Sequence, residues 1–530
     1  MRTLVLLLLF TGTLSAAEPL APVVAKYATS EFAPVVAVRW VPATRQVVVL
    51  NEDGTVRVWG EGNDVPLATM PAPPSTSVPA FGLTVSRDGR TVVTTERSRL
   101  QIWDRTKDTV ATVATEKASP ALKDVGPVEF APDGRGLYAL GHQAHFVTLG
   151  PDGTGAKVGG QMPPAFGKGE RALIRDQPLV SLAGGLGVAY YEGYEVDEVR
   201  VWDFAKNDVA AKMELREGVR PHPFALTPDG QSVVLVDQRR NPIPALEVYE
   251  SRSLTQVRTV PLRHIVWTDA RRTFSPDGRL FAVEIDPKLD CSTYLICAAA
   301  RYEPLAILRH DKPDRLLPNE YQPPRDGKPS RKTVSLSPDG RRAATAFDAR
   351  VHVHNLQAAI DPTPPKAFDA AACWADLVSA DGPTAMRAVY RLADHPAEAV
   401  KLFQEKVKPT AKPAAGDVAK WVKALDAPAF AERQTATKKL TAAADTVEPE
   451  LKQEAANNAS PEVVQAINTM LDAVAKSRRK LDGEYLRAYR IVQTLEMIGQ
   501  PAAELLKAYA AGAKGAFLTQ EAEAAKSRTP

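Results

Sequence analysis

Cysteine is nearly missing from this chain, three in 530 residues, and an odd number cannot make a complete set of disulfides. Two of the three, Cys291 and Cys297, belong to one extended segment. Six residues of strand span roughly 20 Å, whereas a disulfide holds its Cα atoms within about 7 Å, so a straight strand keeps these two apart. Two thiols without further donors nearby also fall short of a zinc site. Charge imbalance is missing as well. The 66 Lys and Arg against 63 Asp and Glu leave +3, spread along the chain, and that gives no electrostatic footprint for nucleic acid. The one basic cluster, Lys476-Ser477-Arg478-Arg479-Lys480, reads as a solvated helix end that complements the helix dipole. Past the first residues, no apolar run approaches the ~20 residues that span a bilayer. There is no Gly-x-Ser-x-Gly elbow and no His-Glu-x-x-His, and Gly153-Thr154-Gly155 lacks the helix that a phosphate loop needs after it. No catalytic, cofactor-binding or metal-ligating residue and no cofactor follows from the sequence.

What is present begins with a leader. Arg2 supplies a positive start, Leu4 to Phe10 are all apolar, and Ser15-Ala16-Ala17 places small residues where a signal peptidase reads. The expectation is a signal peptide over 1–17, a mature start at Glu18, and an exported, periplasmic or extracellular protein without a membrane span.

A phrase then recurs: an apolar segment, Pro-Asp-Gly or a close variant, and a second apolar segment. It stands at Arg87-Asp88-Gly89-Arg90, Pro132-Asp133-Gly134-Arg135, Pro228-Asp229-Gly230, Pro276-Asp277-Gly278-Arg279 and Pro338-Asp339-Gly340-Arg341. From Asp88 to Asp133 is 45 residues, from Asp133 to Asp229 twice 48, and from Asp229 to Asp277 48. The double interval holds a degenerate copy around Ala183-Gly184-Gly185, and Trp40-Val41-Pro42-Ala43-Thr44-Arg45 is a copy without Asp-Gly, so the units number seven. Asp-Gly accepts the positive φ of a tight hairpin turn. About a dozen residues later comes a third strand with alternate apolar positions, as in Val56-Arg57-Val58-Trp59, Leu100-Gln101-Ile102-Trp103-Asp104, Val199-Arg200-Val201-Trp202-Asp203 and Val351-His352-Val353-His354.

Four short strands per unit, repeated seven times, resemble WD40 repeats, whose strands end in Trp-Asp. Trp103-Asp104 and Trp202-Asp203 match that dipeptide, Trp59, Tyr249 and His354 take the aromatic place, and Arg263-His264 and Arg309-His310 stand where the family opens a repeat with Gly-His. The resemblance implies a propeller over roughly 22–360. The last unit lacks a fourth strand of its own, and Val23-Val24-Ala25-Lys26-Tyr27 is spare and strand-like. That segment is expected to close the ring as the outer strand of the last blade, removing an open sheet edge.

A Pro-rich linker over 361–369 leads to Ala, Lys, Glu and Leu with helical spacing. A helical connector is expected over 370–408 and an all-α domain over 417–526, whose paired amphipathic helices resemble HEAT-like repeats. The fold class expected is therefore multidomain β plus α, a seven-bladed WD40-type propeller followed by a HEAT-like domain. The combination resembles bacterial exported WD40-repeat proteins.

For chemistry, His352 and His354 share one face of a strand, but His354 fills the aromatic place, so packing accounts for it. The recurring Asp of Pro-Asp-Gly is accounted for by its turn. The extra length falls at 160–176, 190–196, 237–244, 286–291 and 309–331, in connections from second to third or fourth to first strand. Those open on one face of a propeller. Tyr190, Tyr191, Tyr194, Arg239 and Arg240 are residue types enriched at interfaces and mark that loop face as the expected contact surface for a protein partner. The function expected is a non-catalytic scaffold. Its rivals are a propeller hydrolase or lyase with a central-channel site and a sensor binding glycans or small molecules.

Overall fold

Strand Leu280–Ile285 is buried at all six positions, so simple polar–apolar alternation does not describe it. Its residues instead divide between two cores. Leu280 and Ala282 join one cluster, while Phe281, Val283 and Ile285 join another with Ala225, Val234, Leu246 and Val248 of the preceding sheet. A sheet covered on both faces needs apolar residues on both faces. This is the repeating packing of the β part: small sheets stacked face to face.

The computed structural model describes residues 19–528, apart from 29–32, 73–81, 115–127, 131–135, 150–155, 162–172, 216–221, 238–244, 262–271, 286–290, 312–331 and several stretches of one to four residues. The leader over 1–17 lies outside the described residues. The described strands form seven antiparallel sheets, six of four strands and one of five. In the fourth sheet, Leu173–Ile174 and Leu179–Ser181 both pair with Leu186–Glu192, at the degenerate copy of the repeat. Sheets touch in chain order: first and second, second and third, fourth and fifth, fifth and sixth, sixth and seventh, and seventh with first. Small sheets packed in this order fit a β-propeller.

The turn joining first and second strands shows why Ser-x-Asp-Gly recurs. The Ser86 hydroxyl donates to Asp88 (2.7 Å), whose carboxylate accepts from the Arg90 amide (3.0 Å), and Thr91 N–H donates back to Ser86 Oγ (2.9 Å). Ser337 and Asp339 repeat the arrangement at 2.6 and 3.1 Å. Gly89 sits at φ +72°, and a Cβ there would lie 2.4 Å from Val41 Cγ1 of the first sheet, so glycine serves both the turn and the packing of neighbouring sheets.

The seventh sheet takes its outer strand from the N-terminal segment. Val23–Ala28 runs antiparallel to Arg350–Asn355, with Val23 opposite His354 and Tyr27 opposite Val351. Tyr27 is buried, stacks on Trp59 of the first sheet (centroids 4.9 Å) and donates to the Gly60 carbonyl (3.1 Å). Just upstream, the Ala21 amide donates to Ile307 O and the Ile307 amide to Pro19 O, both at 2.9 Å. One N-terminal segment thus ties the sixth, seventh and first sheets together.

This closure also decides where the helices go. With its outer strand supplied from the N-terminus, the seventh sheet releases the chain after its third strand, on the face that carries the first-to-second-strand turns. Eleven helices follow among the described residues: α1 (Leu356–Ile360), α2 (Ala370–Asp376), α3 (Gly382–Asp394), α4 (Pro396–Lys406), α5 (Ala415–Ala424), α6 (Phe430–Ala443), α7 (Glu448–Asn457), α8 (Pro461–Lys480), α9 (Glu484–Ile498), α10 (Ala503–Ala510) and α11 (Phe517–Arg528). Side chains cap the early ones: Asn355 accepts from Ala358 N (3.0 Å), Asp369 from Ala371 and Ala372 N, and Asp381 from Thr384 N (2.9 Å). None of the described helices is long and apolar enough to cross a membrane.

Packing sorts the helices by contact rather than by chain order. Residues of α1–α4 and α9–α11, among them Val389, Tyr390, Phe403, Ile491, Leu495 and Tyr509, share one cluster with Leu280, Tyr294, Leu305 and Leu336 of the sixth and seventh sheets. A separate cluster unites α5–α8 through Val418, Val422, Leu440, Leu451, Ile467 and Met470. Arg478, read from sequence as part of a solvated helix end, instead ties the second cluster to the first. It pairs with Asp445 and Glu448 and donates to Gly515 O (3.1 Å).

Candidate functional site

Of the five residues expected on the loop face, the structure places the backbone of two. Tyr190 and Tyr191 lie in strand Leu186–Glu192, opposite Val199 and Glu198, and Tyr191 also stands opposite Ile174. Tyr194, Arg239 and Arg240 lie outside the described residues, as does most of the extra loop length. Cys291 and Cys297 occupy one strand, Cys291–Ala298, and Cys297 and Cys373 are buried. Among the described residues no group of three or more His, Cys, Asp or Glu is arranged to hold a metal ion.

The histidines do assemble, between the sixth and seventh sheets. His310 stacks on His352 with centroids 3.6 Å apart, and His354 lies on the same strand as His352. The Thr345 hydroxyl sits 2.9 Å from His354 Nε2 and 3.2 Å from His310 Nδ1. His354 Nδ1 lies 3.4 Å from the Ala21 carbonyl, which only accepts, so Nδ1 carries the proton of neutral His354. Thr345 then donates to His354 Nε2 and accepts from His310 Nδ1–H. This leaves His310 Nε2 as a buried lone pair without a hydrogen-bond partner among the described residues. Both rings are kept neutral. Burial, then the neighbouring His352 and His354, pushes His310 down to about 2, and burial pushes His354 down to about 4 despite the Ala21 carbonyl.

A stability consequence follows from those shifts. Both folded-state pKa values lie below the ordinary histidine value of 6.5, so below that pH the unfolded chain takes up protons that the folded chain refuses. Stability contributed by each neutral ring is complete above pH 6.5 and falls as the pH drops towards the folded value, by about 1.4 kcal/mol per pH unit and ring. Asp277, pushed up to about 6 by burial and then by Glu496, acts in the opposite sense between pH 6 and 4. Comparing wild type with His354→Gln in urea titrations cancels that contribution. The wild type should lose about 1.4 kcal/mol more per pH unit between pH 6.5 and 4, and parallel profiles would contradict the neutral His354.

On the face bearing the first-to-second-strand turns, the chain's own helices grip two arginines. Arg279, buried, pairs with Glu496 of α9 (2.8 Å) and Glu521 of α11 (3.0 Å) and lies over the Tyr489 ring at 4.1 Å. Burial works against its charge, but Glu496, Tyr489 and Glu521 hold its pKa well above the ordinary arginine value. Arg341 pairs with Asp394 of α3 (2.6 Å), bonds Gln357 (2.6 Å) and lies 5.7 Å from the Tyr390 ring, whose hydroxyl donates to Gly340 O (2.6 Å). Arg490 of α9 reaches the other way, donating to Leu377 O and Ser379 O and pairing with Glu303 of the sixth sheet at 3.4 Å. Beside Arg341 a cleft of about 300 Å³ opens, lined by Trp40, Arg45, Glu61, Asp339, Arg342 and Gln357 among others. Sequence reasoning missed these contacts, because the helix residues that make them look like ordinary polar positions. The visible hint was the arginine that follows Asp-Gly.

Comparison with known proteins gave little to set beside this geometry. No family model and no curated protein matches the chain. Among solved structures, the β-propeller domain of Cps50 (Swd1) from Myceliophteria thermophila resembles it with a TM-score of 0.42 at 14% identity, covering 63% of this chain and 99% of that one. The fit to a propeller rests on the strand pairing and sheet contacts of this chain itself.

Proposed function

We propose that the chain is an exported, non-catalytic scaffold whose seven sheets are the blades of a closed WD40-type ring over 22–360, binding a protein partner on the face built by the long loops. The observation that supports this reading is the placement of the helices. They sit on the first-to-second-strand turns, through Arg279 and Arg341, and so at the strand ends opposite those where the second-to-third and fourth-to-first connections begin. A repeat scaffold that concentrates loop length on one face and keeps its own appendage off that face offers it for recognition. The pairwise packing of α5 with α6 and α8 with α7, joined through α6 and α8, supports a HEAT-like reading of the helical part. A leader over 1–17 removed on export would give a mature start at Glu18.

The test is affinity capture from an envelope extract with wild type and with a variant carrying alanine at Tyr190, Tyr191, Tyr194, Arg239 and Arg240. The reading expects a protein retained in stoichiometric amount by wild type and reduced at least about tenfold by the variant. Equal recovery, or none with either, would remove the loop face as the contact surface.

A further inference from the structure

The first-to-second-strand turn has one pattern of backbone hydrogen bonds in five sheets, and four of the five close on a glycine at positive φ, Thr44 of the first sheet being the exception. The amide that opens the turn is bonded to the carbonyl that closes it, and the fourth residue's amide bonds back to the first. This holds at Val41 with Thr44, Ser86 with Gly89, Thr227 with Gly230, Ser275 with Gly278 and Ser337 with Gly340. The residue that follows is Arg45, Arg90, Gln231, Arg279 and Arg341 respectively. Four of these five equivalent positions carry arginine.

Two of the four are occupied, and in the same manner. Each meets a tyrosine ring from a helix, and a carboxylate from that same helix: Tyr489 and Glu496 on α9, Tyr390 and Asp394 on α3. Positions four and seven residues after the tyrosine share its helix face, so one side of one helix delivers both groups. A guanidinium suits this grip because it stacks on an aromatic face and pairs with a carboxylate together.

The other two, Arg45 and Arg90, are exposed. Their side chains are 76% and 71% accessible, and their ion pairs are long ones, to Glu61 at 3.7 Å and Asp88 at 3.5 Å. The two turns adjoin. Arg105 spans them, donating to Gly89 O (2.6 Å) and to Gln46 (3.0 Å). The cleft of about 300 Å³ floored by Trp40 lies between Arg45 and Arg341, so the uncovered stretch begins where the helical cover stops.

We propose that the turns of the first and second sheets, with Arg45, Arg90 and the cleft beside Trp40, dock an amphipathic helix from another protein that carries a tyrosine followed by acidic residues four or seven positions on. The occupant comes from outside the chain because the four tyrosines of the helical part are in use: Tyr390 and Tyr489 on the two arginines, Tyr485 bonded to Asp445, and Tyr509 bonded to Phe403 O.

The experiment uses the full chain and a fluorescein-labelled, alanine-rich helical peptide with Tyr, Asp and Glu at relative positions 0, 4 and 7, followed by fluorescence anisotropy. A second peptide carries lysine at both acidic positions. Saturable binding of the acidic peptide is expected, weakened at least about tenfold by R45E/R90E and less by R45Q/R90Q, with melting temperatures unchanged because both side chains are exposed. Absence of saturable binding, equal binding by R45E/R90E, or equal binding of the lysine peptide would overturn the proposal. Self-association of wild type that R45E/R90E abolishes would also overturn it, by assigning the surface to a second copy of this chain.

Discussion

Replacing Tyr27 with alanine should destabilise the whole protein by about 3–5 kcal/mol, the cost of truncating a buried aromatic side chain. Tyr27 lies 324 residues away in sequence from its strand partner Val351, and three things depend on its ring: burial between the seventh and first sheets, the stack on Trp59 and the hydrogen bond to Gly60 O. At roughly 2–4 °C per kcal/mol for a chain of this size, thermal unfolding should come earlier by on the order of 10 °C. Val24→Ala is the control. Val24 lies on the same strand but is 48% exposed, and its truncation should leave the melt within about 1 °C. Equal melts for the two variants would mean that the N-terminal strand does not close the last sheet.

Arg279→Met is the second large effect. The guanidinium is 3% exposed and neutralises Glu496 and Glu521 at the junction of the sixth sheet with α9 and α11. Removing one partner of a buried ion pair leaves uncompensated charge, here two carboxylates, and costs about 3–5 kcal/mol. Urea denaturation followed by far-ultraviolet circular dichroism should show that loss. Adding Glu496→Gln to Arg279→Met should restore part of it, since one of the stranded charges is then gone. Arg341→Met should cost well under half as much, because its partner Asp394 is 40% exposed and remains solvated. Similar costs at the two sites would contradict the burial that distinguishes them.

The strands were legible in the sequence because their signals are local. Asp-Gly turns announce themselves by residue type, and period-two apolar positions announce the strands beside them. Even the long-range pairing of Val23–Ala28 with Arg350–Asn355 could be reasoned out, since one sheet was short of a strand and one strand was spare. The helix docking could not be reasoned out. Tyr390, Asp394, Tyr489, Glu496 and Glu521 acquire their roles only once the chain leaves the seventh sheet on the turn face and folds back over Arg279 and Arg341. Arg478 teaches the same lesson, a residue that looks solvated in a basic run and is held by Asp445 and Gly515. The histidines fall between these cases. His352 and His354 sharing a face follows from strand periodicity, whereas the stack of His310 on His352 depends on two sheets meeting. Of the residues expected on the loop face, Tyr190 and Tyr191 are fixed in backbone register only.

The account rests on two coverings: the N-terminal segment over the edge of the seventh sheet, and the helices over the turn of the sixth. Hydrogen–deuterium exchange of the intact protein reads both at once. Those amides of residues 21–28 that bond to Ile307 or to Arg350–Asn355, and those of 275–280, should exchange as slowly as the core strand Leu280–Ile285, while those at 86–90, in the equivalent but uncovered turn, exchange markedly faster. Exchange of those amides of residues 21–28 as fast as that of 86–90 would contradict the closure, and with it the exit of the chain onto the turn face.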